Sequence, residues 1–153
     1  MGKHITPPRR VIGIDPDNKK HGVAIYENGK LVRLEMLDLV GVIKILQSIA
    51  VDKWVVEEVT KNNAVYNRNL QKGQSQEANA RMNMKISRNV GMNQQAMVEL
   101  VRVLKAYGQN VMLVPPAKDN WAKETPRFQR ITGWTKRSNP DTRSAAYFGF
   151  LGV

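Results

Sequence analysis

Acidic side chains stand at three points of the sequence where they could bind a divalent cation. Asp15 ends one short apolar run, and Glu57 and Glu58 end another. Asp141 begins a predicted helix. Each also fits an ordinary role, in a turn, at a solvated strand end or at a helix N-terminus. Together they would repel one another and need cations such as Mg²⁺, which binds a few carboxylates with water and phosphate oxygens.

Hydrophobic patterns predict the elements that carry these residues, in the order β-β-β-α-β-α-β-α. The fold class is α/β, with a mixed five-stranded sheet in which parallel strands follow three antiparallel ones. Two strands are predicted within residues 9–26, joined at Asp15 by a tight turn, and Asn28-Gly29 is a hairpin signal. The remaining predictions are a strand Leu31–Leu37, a helix capped by Asp38, a strand Lys53–Val59, a helix Gln76–Tyr107, a strand Val111–Val114 and a helix with Pro140 at its first position.

The connection between the third and fourth strands determines where the carboxylates meet. A crossover helix there makes the fourth strand a parallel neighbour of the first. In open α/β sheets, ligands bind outside the carboxyl ends of such strands. Because strand side chains alternate, only one of Glu57 and Glu58 shares the face of Asp15. If the helix at Asp141 packs nearby, three carboxylates converge. Two metal ions roughly 4 Å apart at such a site support phosphodiester hydrolysis.

Other stretches give weaker predictions. Residues 60–75 have no periodicity and are predicted to form a long loop, a length that favours a functional role. The stripe from Met82 to Leu104 is predicted to be core, while Gly91 indicates close packing or a kink. A short helix is predicted over Pro116–Glu124, carrying Lys118 and Trp121, and Thr125–Lys136 is interpreted as an irregular basic segment.

Charge and composition narrow the class of protein. The 153 residues carry a net charge of +11, with nine basic and eight acidic residues in 1–58 but fifteen and five in 59–153. A regional excess of this kind favours nucleic acid as the partner. No cysteine and no long apolar run are present, so the expected location is the cytoplasm, with no membrane partner. Residues 1–9 are predicted to be a flexible lead and 10–153 a single domain.

Four motifs together resemble the RuvC-like Holliday junction resolvases of the RNase H-like superfamily. They are GIDP followed by GVAIY, then VVEEV, KISRNVGMNQQ and NPDTRSAAYFGF, from about Arg10 to Gly152. The resemblance implies an RNase H-like nuclease domain that uses Mg²⁺, for which Mn²⁺ should substitute. It also implies that Asp15, Glu57 and Asp141 are the catalytic, metal-binding residues, with Glu57 preferred to Glu58.

The sequence departs from the family at one position. The family usually has a fourth metal-binding residue one helical turn from the third. Here Ser138 and Ser144 stand three positions either side of Asp141. Either the fourth acid is missing, or Asp17 or Glu58 compensates for it.

The resemblance further implies a homodimer that cuts opposite strands of branched DNA. The stripe from Met97 to Leu104 is a candidate dimer surface, although core packing explains it as well. Tyr66 could stack on an unpaired base, and Lys118 could contact a phosphate. The full set of predicted DNA-binding residues is Lys61, Tyr66, Arg68, Lys72, Arg81, Lys85, Arg88, Lys118, Lys136, Arg137 and Arg143.

The preferred hypothesis is a structure-selective endonuclease that resolves four-way junctions by Mg²⁺-dependent hydrolysis. One alternative is an RNase H-like nuclease acting on RNA or RNA–DNA hybrid, including the resolvase-like proteins of ribosomal RNA processing. Another is a junction-binding protein with weak or no catalysis. An actin-like or sugar-kinase ATPase lobe fits poorly, because PDNKK after the first strand is too bulky for a phosphate loop.

Overall fold

The computed structural model describes residues 6–59 and 76–153, which form one five-stranded sheet with helices on both faces. The strand order is β3-β2-β1-β4-β5; β1 to β3 are antiparallel, and β4 and β5 run parallel to β1. The predicted α/β class and parallel β1–β4 pairing are therefore confirmed. The elements are β1 (Arg10–Asp15), β2 (His21–Glu27), β3 (Lys30–Leu37), α1 (Leu39–Ser48), β4 (Lys53–Glu57), α2 (Gln76–Ala106), β5 (Val111–Val114), α3 (Thr125–Thr132) and α4 (Pro140–Phe150).

Local chemistry explains several boundaries of these elements. Asn28 and Gly29 both have positive φ, of 50° and 81°, which is the geometry of a two-residue hairpin turn between β2 and β3. The Asp38 carboxylate accepts the Gly41 N–H at 2.9 Å and caps α1. Asn139 caps α4 reciprocally with Thr142, so this helix begins where its sequence predicts.

The sheet separates two hydrophobic clusters. On one face Ile12, Ile14 and Trp54 pack beneath α1 and the C-terminal part of α2. On the other face, the alternate side chains of the same strands, such as Val11 and Val55, pack against α3 and α4. Phe128 of α3 and Phe148 of α4 are fully buried in this second cluster. Asp15 and Glu57 are in phase with this second set. The alternation of the strands thus directs both carboxylates toward α4.

Close backbone contact fixes α4 on the sheet. A Cβ on Gly13 would overlap the Ala145 carbonyl oxygen and the Gly149 backbone, and one on Gly22 would overlap the Asp141 carbonyl. The Tyr26 hydroxyl, buried in the same interface, donates to Ala146 O at 2.6 Å. The helix position is therefore set by backbone atoms at both ends.

Two predictions between β5 and α4 were wrong. Pro116–Glu124 forms turns rather than a helix, because Trp121 adopts a left-handed φ of 65° that interrupts any helix there. The helix comes instead at Thr125–Thr132, within the stretch interpreted as irregular. Pro126 suits its first turn, and Gly133, with φ of 71°, ends it.

Helix α2 joins the core only through its C-terminal part. Met97, Leu100, Val101 and Leu104 are buried, which confirms the core interpretation and rules this stripe out as an exposed dimer surface. Residues 82, 86 and 90 are only half-buried. Within residues 6–59 and 76–153, a Cβ on Gly91 would meet nothing within 4 Å, so the predicted close packing at Gly91 is not found there. Across residues 6–59 and 76–153, no helix is long and apolar enough to cross a membrane.

Candidate metal centre

Asp15 and Glu57 lie side by side at the carboxyl ends of β1 and β4. Ile14 pairs with Val56, so the next residue of each strand falls in register on the α4 face. The two carboxyl groups are close enough to hydrogen bond to each other. Glu58 comes one residue later, and its N–H donates to Val114 O at 2.7 Å, extending the contact between β4 and β5. Register thus brings Glu57, rather than Glu58, to Asp15.

Asp141 completes the acidic edge from above the sheet. It lies in the first turn of α4, and its carbonyl rests on Gly22, the partner of Asp15 in the β1–β2 ladder. The negative charge of Asp141 raises the pKa of Asp15. The three residues predicted to bind metal therefore lie along one edge of the fold, carried by β1, β4 and α4.

Burial raises the pKa of all three carboxyl groups, and the charges of nearby acids raise the pKa of Asp15 and Asp141 further. For Asp15, burial and then the neighbouring Glu57 raise the pKa from 3.8 to about 8. Burial likewise raises the pKa of Glu57, while for Asp141 burial is followed by the charge of Asp17. Among the described residues, no basic side chain lowers the pKa of any of the three. The edge therefore concentrates negative charge that a cation could neutralise.

Asp17 lies beside the same edge, in the turn between β1 and β2. Its N–H donates to Nδ1 of His21 at 3.1 Å. Burial lowers the pKa of His21, which favours the neutral ring that can accept this bond. Because the charge of Asp17 raises the pKa of Asp141, Asp17 is an additional carboxylate at the edge.

The donor chemistry of this edge fits a hard divalent cation, since every nearby acid offers only oxygen. In residues 6–59 and 76–153, however, no three Asp, Glu, His or Cys side chains are arranged closely enough to hold an ion as they stand. Asp15 and Glu57 are turned toward each other instead. To bind a cation, this pair would have to lose its shared proton and open toward Asp141.

Two residues at the site have roles that the sequence does not predict. The Ser144 hydroxyl, 2% exposed, hydrogen bonds toward Asp15 and opposes the rise in its pKa. Asn120 donates from Nδ2 to Ser144 Oγ at 3.1 Å. The only sequence signal at Ser144 is that it is one of the two serines, one turn either side of Asp141, where the resemblance implies a further acid. Asn120 has no signal, because its segment is predicted to be helical.

The predicted DNA-binding residues are spread over several elements of the fold. Residues 81, 85 and 88 are exposed on α2, and Lys118 is exposed in the turn after β5. The N–H of Asn18, in the β1–β2 turn, donates to Asn93 Oδ1 at 3.0 Å. Helix α2 therefore passes the acidic edge at Asn93, and the part before it extends about 25 Å at 1.5 Å per residue. Lys61, Tyr66, Arg68 and Lys72 lie outside the described residues.

Basic residues near Asp141 differ in what they contact. Lys136 and Arg137 are exposed, with Lys136 Nζ 5.8 Å from the ring centre of Trp134. The Arg143 guanidinium is held within the protein: Nη2 and Nε donate to Ala122 O at 2.8 and 3.2 Å, and Nη1 donates to Ser138 Oγ at 3.0 Å. Arg143 thus anchors the segment before α3 to α4, which leaves few donors for a phosphate.

Comparison with known proteins gives matches at the level of structure. No family model matches the chain, and no curated protein sequence does. The fold is similar to that of Thermus thermophilus RuvC in complex with a Holliday junction substrate, with a TM-score of 0.56, 15% identity and coverage of 92% of this chain and 90% of that one. Another Thermus thermophilus RuvC structure gives a TM-score of 0.53 at 15% identity, covering 92% and 91%. The chain therefore has the RuvC fold, of the RNase H-like type, as its motifs implied.

Proposed function

We propose that the protein is a cytoplasmic, divalent-metal-dependent endonuclease that resolves four-way DNA junctions. The observation that carries the proposal is that Asp15, Glu57 and Asp141 lie along one sheet edge, in a chain of net charge +11. A partly buried acidic edge beside a basic surface serves phosphodiester hydrolysis, because cations hold the scissile phosphate and basic residues hold the flanking backbone. The shared fold with a RuvC that binds a Holliday junction substrate supports the choice of substrate.

The three carboxylates would hold Mg²⁺ or Mn²⁺, which supplies positive charge at the phosphate and lowers the pKa of an attacking water. Asp15 and Glu57 contribute neighbouring oxygens because their strands are in register. Asp141 contributes from the helix above, where its backbone is fixed against Gly22. Asp17, whose charge raises the pKa of Asp141, would hold a water or supply an outer ligand.

Basic side chains around the edge would bind the DNA backbone. The exposed residues at 81, 85 and 88 recur at intervals of four and three on α2, so they share one face of the helix segment that extends past the edge. Lys118, Lys136 and Arg137 are exposed near the other elements of the site. Four residues outside the described ranges are proposed to contact the crossover, with Tyr66 stacking on an unpaired base: Lys61, Tyr66, Arg68 and Lys72.

A homodimer is part of the proposal, since two symmetric cuts need two centres. The surface that would join the copies is not the stripe Met97–Leu104, because its residues are buried within the protomer.

A second candidate function is binding of junctions with weak or no catalysis. Two observations favour it: the carboxylates do not form a closed cluster in the part of the chain that is described, and a serine stands one turn after Asp141. In that case the acidic edge would have little or no catalytic role, and the basic surface would bind the junction.

The deciding experiment is cleavage of a labelled four-way junction with Mg²⁺, beside linear duplex and RNA–DNA hybrid. Wild type, Asp15→Asn and the exposed control Asp119→Asn are compared. We expect paired, symmetric nicks in the junction from wild type and from the control, and none from Asp15→Asn. Cutting of the hybrid would instead indicate an RNA-directed nuclease. Tight junction binding without cleavage would support the second candidate.

A further inference from the structure

Asn120 makes two hydrogen bonds that fix the orientation of its side-chain amide. Its Oδ1 accepts the Ala122 N–H at 3.2 Å, and its Nδ2 donates to Ser144 Oγ at 3.1 Å. Only the oxygen can accept from a backbone N–H, so the nitrogen must face Ser144. The residue therefore presents a donor, and not an acceptor, toward helix α4.

This donor determines where the Ser144 hydroxyl proton points. A serine hydroxyl has one proton to donate, and here its oxygen already accepts from Asn120. Ser144 is 2% exposed, so water cannot compete freely for the proton. The α4 backbone on either side of Ser144 lies directly on the sheet, since a Cβ on Gly13 would overlap the Ala145 carbonyl and one on Gly22, the partner of Asp15, would overlap the Asp141 carbonyl. From this position the hydroxyl interacts with the Asp15 carboxyl group and lowers its pKa. A directed chain thus runs from Asn120 through Ser144 to Asp15.

The segment that carries Asn120 is held firmly against α4. Trp121 is 3% exposed and packs against Phe128 and Tyr147, with ring centres 6.1 and 5.4 Å away. The Arg143 guanidinium binds the Ala122 carbonyl from α4 itself. Because these anchors immediately follow Asn120 in the chain, its amide has a defined position relative to Ser144.

We propose that Asn120 is a positioning residue of the candidate metal centre, which acts through Ser144 to orient the Asp15 carboxylate toward a bound cation. The inference rests on the proposed function. Hydrogen-bond partners behind a metal ligand typically change metal affinity about 10–100-fold when removed. In this chain the uncharged pair Asn120 and Ser144, rather than a further acid, supports the Asp15 carboxylate. Ser144 stands one helical turn after Asp141.

The test is Mn²⁺ binding by titration calorimetry, with wild type, Asn120→Ser, Ser144→Ala and the double variant. A serine at 120 keeps a hydroxyl that can accept from the Ala122 N–H, as in a Ser/Thr turn, but it is too short to reach Ser144. We expect each single variant to weaken Mn²⁺ binding about tenfold. The double variant should be no weaker than Ser144→Ala alone, because both changes break the same chain.

Controls separate positioning from folding. Asp119→Asn, on the adjacent residue, should bind Mn²⁺ like wild type, and all variants should keep the wild-type circular dichroism spectrum. Ser144→Thr keeps a hydroxyl and should retain most of the affinity. In cleavage assays, Asn120→Ser should raise the Mg²⁺ concentration needed for half-maximal rate while leaving KM for the junction unchanged.

The possible failures are distinguishable. Wild-type protein that does not bind Mn²⁺, or whose binding survives Asp15→Asn, would overturn the metal centre itself and this inference with it. If binding depends on Asp15 but folded Asn120→Ser binds within twofold of wild type, only the role of Asn120 is refuted. Effects of the two single variants that multiply in the double variant would also refute it, since the residues would then act independently.

Discussion

Replacing Asp15 with asparagine should stabilise the metal-free protein at neutral and basic pH. In the fold, burial and Glu57 raise the pKa of Asp15 from 3.8 to about 8. The folded state therefore binds this proton more tightly than the unfolded state does. The resulting stability is fully present below pH 3.8 and is lost as the pH rises through about 8. Asparagine is uncharged throughout, so Asp15→Asn avoids that loss.

The size of the effect follows from the shift in pKa. One unit corresponds to about 1.4 kcal/mol, so ionising Asp15 in the fold costs at most about 6 kcal/mol. Asp15 is at a sheet edge and shares its proton with Glu57, so water entry and rearrangement of the pair reduce this cost. We expect a gain of about 2–3 kcal/mol in the free energy of unfolding at about pH 8.5, which corresponds to about 5–10 °C in Tm.

The assay is thermal unfolding followed by circular dichroism, in a chelator, from about pH 5 to about pH 8.5. The Tm difference between Asp15→Asn and wild type should grow with pH, while the exposed control Asp119→Asn follows wild type. Adding Mg²⁺ at the basic end of this range should raise the Tm of wild type but not of Asp15→Asn, because only the former binds the ion. If Asp15→Asn melts at or below the wild-type temperature there without metal, the reasoning from burial and repulsion is wrong.

Three further predictions concern the parts that build and surround the site. The added methyl group of Gly22→Ala would overlap the Asp141 carbonyl. In chemical denaturation we expect the free energy of unfolding to decrease by about 1–3 kcal/mol. The cleavage rate should fall further than the unfolded fraction explains. Glu57→Gln should abolish Mg²⁺-dependent cleavage whereas Glu58→Gln should not, since only Glu57 is in register with Asp15; equal decreases in the two single-turnover rates would contradict this. Replacing the exposed basic residues 81, 85 and 88 of α2 with alanine should weaken junction binding in mobility-shift assays. The slope of log affinity against log salt concentration should become shallower by about 0.9 for each phosphate that is no longer neutralised. An unchanged slope would exclude this helix from the interface.

The sequence predicted what local patterns specify. Asn28-Gly29 specified the hairpin because few other pairs adopt positive φ twice, and Asp38 and Asn139 specified helix starts by capping. The crossover between β3 and β4 predicted parallel pairing, and register then placed Glu57 beside Asp15. These features depend on neighbours in the chain or on topology rules.

What the sequence did not predict depends on long-range packing. Helix α3 is mostly polar, and the burial of Phe128 is what stabilises it. The apolar spacing on α2 suggested a continuous core stripe, but β4 has five residues and spans about 17 Å, whereas the 31-residue helix spans about 46 Å. Its first half therefore has no sheet beneath it. The Asn120–Ser144 contact joins residues 24 positions apart with no periodic pattern.

Some sequence predictions stay predictions. Among them are the flexible lead of residues 1–9, the single domain over 10–153 and the homodimer. The metal-binding roles of the acidic residues and the DNA-binding roles of the basic residues and Tyr66 also stay predictions.

The docking of α4 on the sheet has a consequence for the order in which the protein forms. The Tyr26–Ala146 hydrogen bond joins residues 120 positions apart, and the same interface holds Asp141 against Gly22, the partner of Asp15 in the β1–β2 ladder. Contacts of such large sequence separation slow folding, whereas the β1–β2–β3 hairpins need only local contacts. A refolding chain can therefore acquire much of its strand content before the acidic edge exists. In stopped-flow refolding experiments, metal binding should lag behind the far-ultraviolet signal, so a partly folded chain would be unable to cut DNA.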